Sequence, residues 1–231
     1  RTGAGYLRRP ELLTVRITGA DRVRFLNGML SNDVNKLSEG QAQRAVKASS
    51  KGRVEGVVRL RARADEILLD VREATAGRVA GELVKYIVMD DVALTDASAE
   101  REVVSVVGPE AGAALRAAGA EALPDRDLCF VEGSLGAILR DDELGLEAYD
   151  VFTPDAAAVC ERLAAAGAAE VSAEALDVVR VEAGRPLDGV DIDIDTIPLE
   201  ARLDDAIDHA KGCYIGQEVI ARATHRGGVK H

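Results

Sequence analysis

Residues 211–218 read Lys-Gly-Cys-Tyr-Ile-Gly-Gln-Glu. Two glycines, a thiol, an aromatic ring, an amide and a carboxylate fall within eight positions. Gly212 and Gly216 permit positive φ and close approach of a ligand or another backbone. Cys213 stands beside Lys211, and a neighbouring ammonium favours a thiolate. The alternative is a tight loop around a small buried thiol, because a free cysteine packs as a compact hydrophobe. Tyr214 offers a ring either for stacking on a flat ligand or for the core. Gln217 and Glu218 are expected to fix the loop through local hydrogen bonds. Upstream, residues 204–210 have helical potential; downstream, residues 219–223 are apolar enough for a strand or a helix.

Around this octet the chain is acidic. Its net charge is −11, which argues against a non-specific grip on nucleic acid or an anionic membrane. From His209 to His231 the balance reverses to +3, with Lys211, Arg222, Arg226 and Lys230 against Glu218, a patch suited to a small anion. With 231 residues, 47% of them apolar, the chain can bury a core as one large or two smaller domains. There is no Trp, so aliphatic side chains must build that core. Cys129, Cys160 and Cys213 are far apart and form no Cys-x-x-Cys pair, and His209, His225 and His231 make no convincing metal cluster. No metal site is expected. A reducing, cytoplasmic compartment is the default, and no apolar run is long enough to span a bilayer.

Alternation predicts a strand at 12–17, short strands are expected at 43–48, 54–62, 66–71, 92–95 and 148–152, a buried strand at 102–107, and paired strands at 128–132 and 137–140. Ser49-Ser50-Lys51-Gly52 reads as a hairpin loop. Arg59, Arg61 and Arg63 alternate with Val58, Leu60 and Ala62 and predict a solvated sheet face. Helices are predicted from Asp21 to about 30, at 75–88, 110–118 and 154–166, and from Ser172 to 183, where Gly184 stops the last. Residues 188–195 alternate acids with Val and Ile but lack the EF-hand order, so a loop or edge strand with outward acids is expected. Hairpins and βαβ units intermixed predict an α+β fold.

Further runs join the octet in order: Phe25-Leu26-Asn27-Gly28, Asn32-Asp33-Val34, Val181-Glu182-Ala183-Gly184 and Thr196-Ile197-Pro198-Leu199-Glu200. Together they resemble the YgfZ-type folate-binding proteins. These are relatives of the glycine-cleavage T-protein (aminomethyltransferase) and include iron–sulfur assembly factors. The resemblance implies the aminomethyltransferase N-terminal folate-binding fold, with interleaved subdomains of mixed and antiparallel sheets flanked by helices. One subdomain would take about 18–98 with 187–231, the other about 99–186. Such proteins continue into a C-terminal β-barrel; with the sequence stopping at His231, the barrel is expected to be either cut away or absent, and a site completed by it would be open.

The same resemblance implies tetrahydrofolate as cofactor, iron–sulfur proteins as partners and Cys213 as the functional thiol within the signature Lys211, Gly212, Cys213, Tyr214, Gly216, Gln217 and Glu218. Cys213 has no counterpart in the aminomethyltransferase pattern. Glu182, in Arg180-x-Glu182-x-Gly184, matches the acid that holds the pterin. It lies three residues beyond Val179, near the face on which its helix should bury Leu176 and Val179, and is expected to point partly inward. A salt bridge to Arg180 or Arg185 is the alternative. Glu55 matches an essential Asp that faces the folate nitrogens, but is one methylene longer and is followed by Gly56 rather than a second Asp; a surface Glu is the alternative. Arg222, with Arg226 and Lys230, suits the carboxylates of a folate glutamate tail. Glu182 and the thiol loop are expected to line one hollow. Two other functions stay open: a folate-dependent aminomethyltransferase, and a non-catalytic interaction protein.

Overall fold

The alternating stretches become strands and the stretches with helical spacing become helices in the computed structural model, which describes residues 2–225, with side chains to residue 223. Along the chain run β1 Gly5–Arg8, β2 Leu12–Thr18, α1 Arg22–Met29, β3 Ala42–Ala48, β4 Val54–Ala62, β5 Ile67–Arg72 and α2 Glu73–Lys85. Then come β6 Ala93–Asp96, β7 Glu102–Val107, α3 Ala111–Ala117, β8 Phe130–Gly133, β9 Gly136–Arg140, β10 Ala148–Thr153 and α4 Ala156–Ala165. β11 Ala169–Glu170, α5 Ala173–Glu182 and α6 Gln217–His225 follow. The class is α+β. The chain divides into two units: Arg1–Pro10 with Ser98–Arg185, and Glu11–Ala97 with Pro186–His231.

The first unit holds a six-stranded sheet in the order β11-β1-β7-β10-β9-β8. Only the short β1–β11 pair is parallel. Val104, Val106, Tyr149 and Val151 on one sheet face meet Leu115 of α3 and Val159 and Leu163 of α4. Asp155, one residue after Pro154, caps α4 by accepting from the Ala158 amide. Ser172 caps α5 in the same way through Ala175. Contrary to expectation, α5 buries nothing fully: Leu176 and Val179 are half-buried, and Val178 and Val181 are exposed. The helix ends at Gly184, whose φ is +67°.

The second unit holds an antiparallel five-stranded sheet, β3-β4-β5-β2-β6. Val58, Leu60, Leu69 and Val71 face Phe25, Leu26 and Met29 of α1 and Val79 and Leu83 of α2. Gly56 lets α2 come this close, because a Cβ there would lie 2.4 Å from Val79 Cγ2. On the opposite face the arginine row is not solvated. Arg61 is only 1% exposed and donates through Nε and Nη2 to the two oxygens of Asp70, each at 2.8 Å; Thr14 Oγ1 also donates to Asp70. The cause is register: Asp70 on β5 pairs with Arg59 on β4, one step from Arg61 on the same face. The expectation failed because the partner acid lies on another strand.

Residues 186–225 return to this unit. Leu199, Ala201, Leu203, Ile207, Tyr214 and Ile220 pack with Val46, Ala48 and Val54 of the β3–β4 hairpin. Residues 188–195 form a loop whose first acid points inward, a second correction. Asp188 is buried and accepts from the Val57 amide at 3.0 Å and from Thr75 Oγ1 at 2.7 Å. Asp191 and Asp193 cap amides within the loop. The helical potential of residues 204–210 yields a single 3₁₀ turn, Asp204–Ala206. No helix among the described residues is long and apolar enough to cross a membrane.

Candidate functional site

The octet is a loop leading into α6, held at every second or third residue. Lys211 is 8% exposed, and its ammonium donates to three carbonyls at the end of α1: Asn27 O at 2.7 Å, Leu30 O at 2.6 Å and Asn32 O at 2.8 Å. Free carbonyls at a helix C-terminus carry partial negative charge, and a buried cation satisfies them together. The same ammonium lies 5.0 Å from the centre of the Tyr214 ring. Burial pulls the Lys211 pKa down to about 8, against the opposing pull of Asp33 and Asp208. Tyr214 is 9% exposed, its ring set in the third cluster, and burial pushes its hydroxyl up to about 12. Ile215 N donates to Gly28 O.

Gly216 has a φ of +87°, and a Cβ there would meet Ser49 O at 2.5 Å. Gly52, in the facing hairpin loop, has a φ of +70°; a Cβ there would meet Val219 Cβ at 2.6 Å and Gly216 O at 3.3 Å. The two loops therefore touch backbone to backbone. Between these anchors Gly212 and Cys213 are exposed. The expected role of Lys211 needs correction, since its ammonium protons are directed at three carbonyls and at the tyrosine ring. The buried-thiol alternative fails as well.

Glu55 lies on β4, whose neighbour β3 supplies an unforeseen partner. Lys47 is 1% exposed, and its Nζ donates to Glu55 Oε2 and to Ala48 O, at 2.8 Å and 2.9 Å. The ring centre of Tyr86 lies 6.0 Å from that Nζ. A lysine within the apolar run Ala45-Val46-Lys47-Ala48 was the available signal, because a buried ammonium demands an acid. The backbone of Lys47 also bridges to Leu30, which accepts from Lys211. An unbroken run of contacts thus joins the octet to Glu55.

Glu182 belongs to the first unit and is exposed on α5; Glu55, Tyr214, Cys213 and Arg222 belong to the second. In the Arg180-x-Glu182-x-Gly184 pattern, Arg180 bonds Asp177 at 2.6 Å and Arg185 O at 3.1 Å, closing the end of the helix. Arg222 is exposed on α6 and pairs with Glu218 one turn back, at 3.4 Å. Arg226 and Lys230 lie outside the described residues, as does the side chain of His225. Among the described residues no group of three or more His, Cys, Asp or Glu side chains could hold a metal ion.

Comparison with known proteins gives consistent results. The chain is 31% identical to an aminomethyltransferase of Rubrobacter xylanophilus, over 98% of this chain and 63% of that protein. It is 30% identical to the tRNA-modifying protein YgfZ of Yersinia enterocolitica, over 94% and 66% respectively. The chain thus spans just under two thirds of these relatives. In structure it matches the glycine cleavage system aminomethyltransferase T of Bartonella henselae with a TM-score of 0.87 at 24% identity, covering 98% of this chain and 64% of that one. This likeness bears out the expected N-terminal fold. Residues 1–140 match the family described as the GCVT N-terminal domain, and the chain belongs to that family.

Proposed function

We propose that this chain is the tetrahydrofolate-binding part of an accessory protein that supports iron–sulfur enzymes, with Cys213 as its acting thiol. The observation behind this reading is the state of the octet. Lys211, Tyr214 and Gly216 are each fixed, while Cys213 between them is exposed. A loop braced on both sides of a solvent-facing thiol presents that thiol at low entropic cost on meeting a partner. Tetrahydrofolate, when bound, carries one-carbon units on its ring nitrogens.

The donor set suits this ligand. Glu55 accepts from Lys47 through Oε2, and its Oε1 has no hydrogen-bond partner among the described residues, so it can accept from a ring N–H. Arg222 suits the carboxylates of a glutamate tail. Tyr214, covered by core side chains, anchors the loop.

Cys213→Ala is expected to abolish support of an iron–sulfur enzyme in cells lacking the protein, while folinic acid binding changes by less than about twofold. Support that persists in this variant overturns the thiol assignment. Absence of folinic acid binding at millimolar concentration overturns the ligand and leaves a non-catalytic interaction protein. The 31% identity to an aminomethyltransferase favours a second reading, folate-dependent aminomethyl transfer. Turnover of a methylamine donor with tetrahydrofolate is its test.

A further inference from the structure

We propose that Lys47 is a positioning residue that aims Glu55 at the ligand, an assignment that rests on the reading of Glu55 as a ligand-facing acid. Three independent features support it. The first is the ladder. β3 and β4 pair Lys47 with Gly56 and then Ala48 with Val54, so the register skips Glu55. A residue extruded from a ladder in this way forms a bulge, and bulges re-aim side chains. Glu55 is therefore the one residue of that stretch whose direction the ladder does not set.

The second feature is the way Lys47 itself is held. Its backbone is paired on both sides, to Gly56 on β4 and to Leu30 at the end of α1. Its ammonium is fixed by Ala48 O and lies over Tyr86. The donor is thus fixed even where the acceptor strand is irregular.

The third feature is the asymmetry of the ion pair. The Lys47 side chain is 1% exposed, whereas Glu55 keeps 15% of its side chain open. A pair serving only the interior would be covered at both ends. Here Oε2 is tied down at 2.8 Å, and Oε1 has no hydrogen-bond partner among the described residues. The extra methylene of glutamate adds a rotatable bond that would blur the position of the carboxylate. The lysine removes that freedom, and binding groups work only when so held.

The test uses folinic acid as probe and calorimetric Kd values for the wild type, Glu55→Gln, Lys47→Met and the double variant. Each single change is expected to weaken binding by about tenfold or more, and the double variant to bind no more weakly than the weaker single. If Glu55→Gln leaves Kd unchanged, Glu55 does not face the ligand and the reading beneath this inference fails. If Glu55→Gln weakens binding but Lys47→Met changes it by less than about twofold, Lys47 does not position the acid and the Glu55 reading stands. If the two losses multiply in the double variant, Lys47 acts through the general fold, because its removal then matters even without the acid. Thermal melts accompany each measurement. Should Lys47→Met fail to melt cooperatively, Lys47→Gln, which keeps hydrogen-bond donors without the charge, is read by the same criteria.

Discussion

Lys211 carries a charge into the interior and meets three carbonyls there, a site that serves the chain's own helix end. The folded chain gives up this proton near pH 8, the unfolded chain only near 10.5. Between these values the unfolded chain holds more protons, so the contribution of Lys211 to stability rises with pH and is lost as pH falls through 8. Lys211→Met leaves buried acceptors unmatched and should cost about 1–3 kcal/mol near neutrality. The stability gap between wild type and variant should widen from pH 7.5 to 9.5 in urea unfolding. A constant gap would contradict the burial of this amine. Tyr214, raised to about 12, adds its own dependence only above the ordinary tyrosine range. Little of this was legible in the sequence. The octet announced that Lys211 and Cys213 are neighbours, but adjacency along a chain does not say where a four-carbon stem points. The carbonyls it reaches are some 180 positions away.

At the level of elements, local pattern and structure agree where the pattern is strict. The alternation over β4 and the short apolar run of β7 return those strands with the expected bounds, since one has a period of two and the other is a run of strand length closed by a glycine. β1 escaped notice because only Tyr6 and Leu7 of its four residues are sizeable apolar groups, and its strength comes from pairing with β7. The arginine face and Asp188 were misread for one shared reason: their partners come from other strands or from α2, which no local window contains. Gly56 was noticed only as a missing second acid, and packing gives it a cause. Gly56→Asp should destabilise the chain by about 3 kcal/mol, because its side chain would displace Val79 on α2. Adding Val79→Ala should recover part of that loss. Thermal denaturation of the single and double variants checks both statements, and an unaffected single variant would show that α2 yields without cost.

At the scale of the whole molecule, each unit is assembled from two separate runs of chain. Residues 1–10 supply β1, which sits between β11 and β7 in the sheet of the first unit. Removing residues 1–9 should therefore bare an edge of β7 and leave β11 unpaired. The expected result is loss of cooperative melting and a shift to aggregates in size-exclusion chromatography, whereas a monomer with unchanged melting would show β1 to be dispensable. The polypeptide passes from one unit to the other near Pro10, Ala97 and Arg185. A nick at Ala97 releases no self-sufficient piece: the fragment ending there carries part of both cores, and so does the remainder. A protease that cuts in the middle of this chain therefore spoils both units at once instead of freeing one of them.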